Sequence, residues 1–449
     1  MAQALNVELI RKYAAPVPRY TSYPTAPHFT PSVGAETYAQ WLRELPDNSD
    51  ISLYVHIPFC QALCWYCGCN TKATRRYEPV AGYLAALNAE IARVSQIVTG
   101  KHRIAHMHWG GGSPSLLRAS DILSLGETLR QSFHIDAGTE FAVEVDPRDC
   151  TDERLDALHA AGVNRVSLGV QDFDELVQEA IGRKQSFEDT RRVIQGLRAH
   201  GIASVNVDLI YGLPMQTLES VGATVSKLIA LDPDRVAIFG YAHLPQRLRH
   251  QRLIDTSTLP DAVARFKQAE LMSQRLEDAG YVRIGLDHYA KPSDPLASGS
   301  ISRNFQGYTS DGADILIGLG ASSIGQLPQG FVQNVVSAAD YGRRIAAGGL
   351  ATARGRALTD EDRARGWVIK ELMCSLSFSS SALRSRFPKE APALVETAGS
   401  IVRHDPDAIV EATADGFVVP ERGRPFLRSI CARFDAYLAT SQATHSAGV

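Results

Sequence analysis

The sequence lacks several features that would place it in common protein classes. No apolar run reaches the roughly 18 residues of a membrane-spanning helix, and the opening MAQALNVELIRKY has no apolar segment typical of a signal peptide. The formal net charge of −3 provides no basic surplus for nucleic-acid binding. No H-E-x-x-H or Ser-His-Asp phrase indicates a hydrolase. These absences favour a cytoplasmic protein that binds neither membrane nor nucleic acid.

Cysteine is scarce and unevenly placed. Four of the seven cysteines fall between residues 60 and 69, directly after the apolar run 51–59. Thiolates this close together can surround one compact metal centre, whereas a disulfide needs two Cα atoms set apart on structured elements. Cys150, Cys374 and Cys431 are scattered, and we interpret them as ordinary core thiols.

The spacing of the four cysteines favours iron over zinc. Structural zinc sites usually draw two separate Cys-x-x-Cys pairs, which this chain does not have. Cys60, Cys64 and Cys67 form C-x3-C-x2-C and supply three ligands, so one iron of a [4Fe-4S] cluster would stay open to a small molecule. A zinc site and a group of inert buried thiols are the alternatives.

Six short apolar runs alternate with stretches of helical periodicity. The predicted strands are 51–57, 104–109, 140–146, 165–170, 204–210 and 235–240. The predicted helices are 80–98, 115–133, 151–161, 173–199, 217–231 and 260–279. Six βα repeats indicate a parallel sheet and a partial (β/α)6 barrel, which binds its ligands where the strands end.

The chain divides into three predicted parts. Residues 1–48 form an N-terminal extension, 49–345 the catalytic barrel, and 346–449 a small, mostly helical or winged-helix-like domain with helices near 358–375, 380–397 and 424–440. Within the extension, segment 19–24 is polar and proline-rich, so we expect it to cover the barrel mouth and exclude solvent rather than to join a core. The tail SQATHSAGV is expected to fray.

Several phrases together carry a family resemblance. YVHIPFC(x3)CWYCGCN (54–70), HWGGGSPS (108–115), EVDPR (144–148), GVQDF (169–173), DLIYGLP (208–214) and RNFQGYT (303–309) occur in this order. With PRYTSYPTAPHF (18–29) and YAHLP (241–245), they resemble the oxygen-independent coproporphyrinogen III oxidases, which are radical S-adenosylmethionine (SAM) enzymes. The similarity extends from about residue 10 to residue 440.

The resemblance implies an activity and its cofactors. Members oxidatively decarboxylate two propionates of coproporphyrinogen III to vinyl groups, which gives protoporphyrinogen IX in haem (porphyrin) biosynthesis. The implied cofactors are a [4Fe-4S] cluster and two SAM molecules, and the implied partners are this substrate and a one-electron donor. The family also suggests a monomeric oxidoreductase.

The resemblance also assigns roles to individual residues. The metal ligands would be Cys60, Cys64 and Cys67. The SAM molecule on the cluster would contact Tyr54, Tyr66, Gly111, Glu144 and Ile324. A second SAM would contact Gly112, Ser113, Gln171, Arg183, Asp208 and Ala242. Cys69, Phe305 and Gln306 would act in catalysis next to the substrate.

Read without the resemblance, most of these residues have simpler interpretations. A glycine run is commonly a turn, and Glu144 and Asp208 could be surface charges or helix caps. His56 and His108 lie within predicted strands, where we interpret them as hydrogen-bonded core histidines rather than metal ligands. The tetracarboxylate substrate needs cationic anchors, for which the candidates are Lys72, Arg75, Arg76 and Arg303; solvated surface charges are the alternative.

Two other functions compete with the enzyme. The related haem chaperone has the same cysteine triplet but generally lacks the extra C-x-C and the phrase RNFQGYT. An iron–sulfur electron carrier or a zinc-stabilised interaction protein needs no βα barrel. One departure from the family concerns loop 296–302, which is a few residues shorter than expected and affects the surroundings of Phe305.

Overall fold

The computed structural model describes residues 7–202 and 204–440. The predicted frayed tail 441–449 therefore lies outside the described residues. Within the described ranges, no helix is both long enough and apolar enough to cross a bilayer.

The helices and strands follow the predicted alternation through most of the chain. The helices are α1 (Val7–Tyr13), α2 (Ala35–Arg43), α3 (Glu78–Ile97), α4 (Ala119–Ser132), α5 (Asp152–Ala160), α6 (Glu175–Ala180), α7 (Phe187–Ala199), α8 (Leu218–Leu231), α9 (Ala262–Asp278), α10 (Pro295–Ser298), α11 (Ala338–Ala346), α12 (Asp360–Ser375), α13 (Ser380–Arg386), α14 (Ala391–Arg403) and α15 (Leu427–Ala432).

The strands of the first half are β1 (Asp50–Ile57), β2 (Phe59–Cys60), β3 (Lys72–Ala73), β4 (Arg103–Gly111), β5 (Glu140–Val145), β6 (Arg165–Gln171), β7 (Ser204–Tyr211) and β8 (Arg235–Gly240). Those of the second half are β9 (Val282–Ile284), β10 (His288–Ala290), β11 (Ser302–Asn304), β12 (Gly307–Thr309), β13 (Ile315–Leu319), β14 (Ile324–Leu327), β15 (Gly330–Asn334), β16 (Thr352–Ala357), β17 (Ser377–Ser379), β18 (Glu411–Thr413) and β19 (Gly416–Val418).

One sheet of 12 strands dominates the molecule. Its order is β16-β15-β14-β13-β1-β4-β5-β6-β7-β8-β10-β9. The six predicted strands are β1, β4, β5, β6, β7 and β8, and they are neighbours and parallel throughout. This confirms the α/β fold built on a partial (β/α)6 barrel. The sequence did not predict the antiparallel strands that extend both edges of the barrel.

The barrel strands bury apolar side chains on one face and polar side chains on the other. In β5, Phe141, Val143 and Val145 are buried in the main core, whereas Glu140 and Glu144 point to the opposite side. Polar contacts such as Arg165 to Glu140 (2.8 Å) join neighbouring strands on that side. The lumen of the partial barrel is therefore polar, and its outer face packs on the helices.

Several predicted helices are divided. The stretch 173–199 forms α6 and α7, because Gly182 takes φ +63° after α6 and Ser186 starts α7 with a capping box to Asp189. The stretch 380–397 forms α13 and α14, and 424–440 contains only short helical turns around α15. The main sheet also continues to Ala357, beyond residue 345 where we predicted the barrel to end.

A second hydrophobic core joins the two ends of the chain. It combines Ile10, Tyr20 and Tyr23 with the apolar side chains of residues 364–434 and with Phe266 of α9. The expectation that segment 19–24 stays outside any core is wrong for its two tyrosines, which are 4% and 6% exposed. Their polar hydroxyls reach Asp435 and Ala436 of the C-terminal part, so the rings are buried without loss of hydrogen bonds.

Candidate functional site

The cysteine loop, the glycine run and several strand ends surround one cavity of about 670 Å³, which we call the cofactor cavity. Because the carboxyl ends of parallel strands meet at one rim, side chains far apart in sequence converge there. The predicted site residues that line it are Cys60, Cys64, Tyr66, Cys67, Cys69, Gly111, Gly112, Ser113, Glu144, Gln171, Arg183, Asp208 and Ala242.

The cysteine loop follows strand β1. Its backbone N–H and C=O groups form hydrogen bonds with residues of other parts of the chain. The N–H of Trp65 donates to the Ile181 carbonyl (2.9 Å), and the Gln251 side chain donates to the Tyr66 carbonyl (3.0 Å). His250 makes a 2.7 Å hydrogen bond to the Cys67 carbonyl. The loop is thus positioned by groups other than its own thiols.

Two arginines approach one of the thiols. Arg148 and Arg183 each place a guanidinium nitrogen 3.5 Å from the Cys64 sulfur, and both pair with Asp146, at 2.7 and 3.0 Å. Burial raises the pKa of Asp146, but the positive charges of Arg183 and Arg148 lower it by more. The pKa of Asp146 therefore lies below its ordinary value. Two guanidinium groups and one carboxylate therefore leave a net positive charge beside the Cys64 sulfur.

The three other thiols differ in exposure. Cys60 and Cys67 are partly buried and Cys69 is exposed. Burial raises the pKa of Cys60 to about 12. The hydrogen bond between its sulfur and the Thr71 hydroxyl (3.2 Å) acts in the opposite direction but is the smaller effect. The hydrogen bond with Cys69 lowers the pKa of Cys67 to about 7. Cys69 thus contacts the triplet without being part of its C-x3-C-x2-C spacing.

Close packing accounts for the glycine run at the end of β4. A Cβ on Gly111, which has φ +105°, would lie 2.3 Å from the His56 ring, and one on Gly112 would lie 2.4 Å from the Phe59 carbonyl oxygen. The run therefore lets β4 lie against β1 and Glu144, and it also leaves backbone exposed to the cofactor cavity.

Glu144 is held at the rim as a carboxylate. His108 lies 3.2 Å from one of its oxygens, and the Gly111 N–H donates to the other (3.0 Å). Burial alone would raise the pKa of Glu144, but these two partners lower it below its ordinary value. An ionised carboxylate lining the cavity can accept hydrogen bonds from an ammonium group.

Asp208 of β7 is a further acidic residue that lines the cofactor cavity. Asn206 donates to one of its oxygens (2.8 Å) and Ser167 to the other (3.2 Å). Burial and the negative charge of Glu144 raise the pKa of Asp208 to about 6. On acidification, Asp208 therefore takes up a proton at a higher pH than Glu144 does.

The two strand histidines, His56 and His108, are both hydrogen-bonded but differ in burial. His56 is 5% exposed, and its ring nitrogens bond to the Asn70 carbonyl (2.9 Å) and the Tyr54 hydroxyl (3.0 Å). The predicted hydrogen-bonded core histidine is confirmed at His56, whereas His108 is hydrogen-bonded to Glu144 but only partly buried.

Four predicted site residues do not line the cofactor cavity. Tyr54 lies in β1 with its ring stacked at 5.9 Å on His108, and Ile324 begins β14. Phe305 packs edge-on against Phe331 at 5.8 Å between the short strands β11 and β12, and Gln306 is exposed. The structure thus brings the cysteines, glycines and lumen carboxylates together and leaves Phe305 and Gln306 outside this group.

Sequence reasoning missed two charged residues of the site. Asp146 and Arg148 follow β5 in the phrase EVDPR, where only Glu144 received a role, although acidic and basic residues at a strand end were a usable signal. Arg19, from the N-terminal segment, also lines the cavity. The sequence placed segment 19–24 over the barrel mouth but gave Arg19 itself no role in the site.

The donor set fits a [4Fe-4S] cluster. Three thiols of one loop line the same cavity, and two guanidinium groups reach Cys64. Within residues 7–202 and 204–440, no three His, Cys, Asp or Glu side chains are close enough to hold a single ion. A cluster places each thiolate on a different iron, so its ligand sulfurs lie farther apart than those around one ion.

Comparisons with known proteins agree with this geometry. Residues 54–228 match the model of the radical SAM superfamily, which implies a [4Fe-4S] cluster and SAM as cofactors. The oxygen-independent coproporphyrinogen III oxidase of Bradyrhizobium diazoefficiens is 46% identical over 96% of this chain and 97% of its own length. That of Cereibacter sphaeroides is 44% identical over 98% and 99%.

A solved structure shows the same fold over nearly the full chain. Coproporphyrinogen III oxidase of Escherichia coli, a radical SAM enzyme, superposes with a TM-score of 0.90 at 37% identity. The match covers 96% of this chain and 99% of the other. From its cysteine loop, its barrel and these relatives, the chain belongs to the oxygen-independent coproporphyrinogen III oxidase family of radical SAM enzymes.

Proposed function

We propose that the chain converts two propionate side chains of coproporphyrinogen III to vinyl groups without oxygen, giving protoporphyrinogen IX in haem biosynthesis. Each conversion releases one carbon dioxide, one hydrogen atom and one electron. The observation that carries the proposal is the convergence of the C-x3-C-x2-C loop, the glycine run and Glu144 on one cavity in a family member matched over nearly its full length.

The residues of the cavity would divide the work of binding. Cys60, Cys64 and Cys67 would hold a [4Fe-4S] cluster, and Glu144 would accept hydrogen bonds from the ammonium group of SAM. When bound, the cluster and SAM supply a 5′-deoxyadenosyl radical that removes the hydrogen atom. The protein positions the propionate next to that radical and excludes water.

The remaining predicted roles are part of the proposal. Tyr54, Tyr66, Gly111 and Ile324 would complete the first SAM site. The cavity lining supports a second SAM site at Gly112, Ser113, Gln171, Arg183, Asp208 and Ala242. Two SAM molecules could serve the two decarboxylations.

The catalytic roles of Cys69, Phe305 and Gln306 belong to the proposal as well. Cys69 has support from its place in the cavity lining. For Phe305 and Gln306, the substrate would have to reach the turn between β11 and β12. We further propose a cytoplasmic monomer that takes one electron from a separate donor.

An anaerobic assay tests the function. The cluster-reconstituted protein is incubated with coproporphyrinogen III, SAM and a one-electron reductant, and tetrapyrrole product and 5′-deoxyadenosine are quantified. We expect a divinyl product together with 5′-deoxyadenosine. The Cys64→Ala variant is the matched control and should form neither. Tight tetrapyrrole binding by the intact protein without any vinyl product would instead support the haem chaperone.

A further inference from the structure

A second, smaller cavity of about 80 Å³ adjoins the cofactor cavity. Arg19 and Gly240 line both cavities, so the two are neighbours. We call the smaller one the arginine cavity, because its charged lining consists of five arginines and two carboxylates: Arg19, Arg265, Arg283, Arg303, Arg428, Glu270 and Asp287. These side chains come from the N-terminal segment, from α9 and β9 to β11, and from α15.

Three arginines that line this cavity have buried guanidinium N–H groups with no acceptor among the described residues. Arg303 is only 9% exposed, yet its Nε and Nη1 make no hydrogen bond. Its Nη1 lies 3.7 Å from Asp287 Oδ1, beyond hydrogen-bond range. Nε of Arg265 and Nε of Arg283 are unpaired in the same way. Buried donors of this kind usually have partners, so a missing acceptor is indicated.

The orientation of two of these arginines is fixed by other contacts. The Arg265 Nη1 donates to the Tyr241 carbonyl (2.9 Å), and the Arg303 guanidinium lies 4.3 Å from the centre of the Tyr308 ring. The free N–H groups are therefore held in place before any ligand arrives, which lowers the entropic cost of binding.

The charge balance of the cavity favours an anion. Burial and the neighbouring Arg19 lower the pKa of Arg428 to about 10, which shows positive charges crowded in a poorly solvated space. Burial raises the pKa of Asp287, but Arg303 and His288 more than offset this and lower it. With Asp287 and Glu270 both ionised, the arginines still outnumber the carboxylates by five to two.

The size of the cavity limits the ligand. A volume of about 80 Å³ admits a carboxylate and part of its alkyl stem, whereas a tetrapyrrole ring needs the adjoining cavity of about 670 Å³. We propose that the arginine cavity binds one propionate carboxylate of the tetrapyrrole and so orients the ring in the cofactor cavity. This inference rests on the proposed function and names Arg303 and Arg265 as its principal anchors.

The structure also separates the anchor candidates that the sequence suggested. Three of the candidates are exposed: Lys72, Arg75 and Arg76. The fourth, Arg303, is buried and lines the arginine cavity. A guanidinium fork can hold a carboxylate with two parallel hydrogen bonds, and this gives direction as well as affinity.

Equilibrium binding tests the proposal independently of turnover. The probes are coproporphyrin III, which has the four propionates of the substrate in a stable ring, and its tetramethyl ester, which has the same ring without charge. Dissociation constants for the cluster-reconstituted protein are measured by fluorescence. We expect Arg303→Gln and Arg265→Gln each to weaken tetracarboxylate binding by about tenfold or more and to leave ester binding unchanged.

Matched variants control for folding and for charge. Arg303→Lys keeps the charge but loses the fork, so it should recover part of the affinity. Exposed Arg191→Gln on α7 removes a guanidinium that pairs with Glu188 and should bind as the wild type does. Arg265 is only partly buried, so we expect Arg265→Gln to fold. If Arg303→Gln does not fold, the affinity of Arg265→Gln decides whether the arginine cavity binds a propionate.

The outcomes of the binding and turnover measurements are distinct. Wild-type affinity for the tetracarboxylate in Arg265→Gln and in folded Arg303→Gln, or equal losses for tetracarboxylate and ester, would overturn the anchor. A protein that discriminates between the two probes as expected but forms no vinyl product would retain the anchor and refute the proposed reaction.

Discussion

Cys64 differs from the other thiols of the cysteine loop because two guanidinium groups contact its sulfur. The two guanidinium groups can affect how strongly Cys64 binds the cluster. The C-x3-C-x2-C spacing, however, predicts that all three cysteines are cluster ligands. We predict that Ala at position 60, 64 or 67 abolishes the broad iron–sulfur absorbance at about 400 nm and all SAM cleavage. Anaerobic reconstitution followed by absorbance and iron analysis measures this.

Cys69 provides the matched control for that series. It lies in the same loop and contacts Cys67 through its backbone N–H (3.4 Å), but it is exposed. Cys69→Ala should retain the cluster and its absorbance while product formation falls. Iron lost from Cys69→Ala but retained by one of the other three variants would show that the ligand assignment is wrong.

Asp208 offers a pH-dependent test of the lumen electrostatics. Its pKa of about 6 lies above the ordinary value for aspartate, so the native state binds this proton more tightly than the unfolded chain does. The stability contributed by the protonated group is therefore lost as the pH rises through about 6. Asparagine can accept from Asn206 with its oxygen and donate to the Ser167 hydroxyl with its amide nitrogen, without the charge.

We predict that Asp208→Asn raises the free energy of unfolding at pH 7.5 by about 1–2 kcal/mol and by less at pH 5. Urea unfolding of the protein without SAM, at both pH values, measures the difference. A gain that is equal at pH 5 and 7.5 would mean that titration of Asp208 is not its cause.

Site residues could be predicted from the sequence where a recognisable motif follows directly on a predicted strand. The cysteines and Glu144 follow recognisable strands, so their meeting at one rim could be predicted from parallel topology. Arg19 and Arg303 could not be predicted as neighbours. They lie 284 residues apart and meet only through tertiary packing, where the Arg303 side chain reaches the Arg19 carbonyl at 3.4 Å.

Helix α3 shows how one buried side chain connects several elements. Glu90 is 1% exposed and accepts hydrogen bonds from the Gly320 N–H (2.6 Å), the Asn334 amide (2.7 Å) and the Tyr341 hydroxyl (2.7 Å). These partners belong to the turn after β13, to β15 and to α11. Glu90 therefore fixes the antiparallel edge of the sheet to the barrel.

We predict that Glu90→Ala lowers the free energy of unfolding by about 3 kcal/mol or more, because it leaves three buried groups without their acceptor. Glu90→Gln keeps one acceptor oxygen and should cost about 1 kcal/mol. Urea unfolding of both variants beside the wild type measures the effect. Equal stability of Glu90→Ala and the wild type would show that the three partners find other acceptors.

The six barrel strands were predictable because each combines a short apolar run with flanking helical periodicity. The edge strands β9, β10 and β13 to β16 were not, since they are three to six residues long and carry few periodic positions. The division of 173–199 had a visible signal in Gly182 and the Ser186 capping box, but a continuous helical pattern across the break hid it.

Two hydrophobic cores share the N-terminal segment and make the molecule one unit. Beyond Tyr20 and Tyr23 in the second core, Phe29 stacks on Phe331 at 5.6 Å and Thr30 pairs with Gly355 beside the main sheet. Arg19 meanwhile donates to the Gly240 carbonyl (2.6 Å) at the rim of both cavities. A segment expected only to cover the barrel mouth therefore also holds the C-terminal part in place.

This packing changes what deletion of residues 1–28 should do. As a simple cover, the segment could be removed with loss of product formation alone. Because Ile10, Tyr20 and Tyr23 are buried, we predict instead that the truncated chain loses roughly 5 kcal/mol of stability. It should also bind the dye ANS at its exposed second core, as measured by fluorescence and by urea unfolding.

Lys12→Ala is the control within the same segment. It removes an exposed ion pair with Asp407 and a cation–π contact with the Tyr13 ring (5.4 Å), so it should change stability by less than about 0.5 kcal/mol. A truncated protein that unfolds like the full chain and binds no dye, yet makes no product, would show a detachable cover. Lost stability together with dye binding would show that the segment's tyrosines complete the fold, and its role at the rim must then be measured with single substitutions at Arg19.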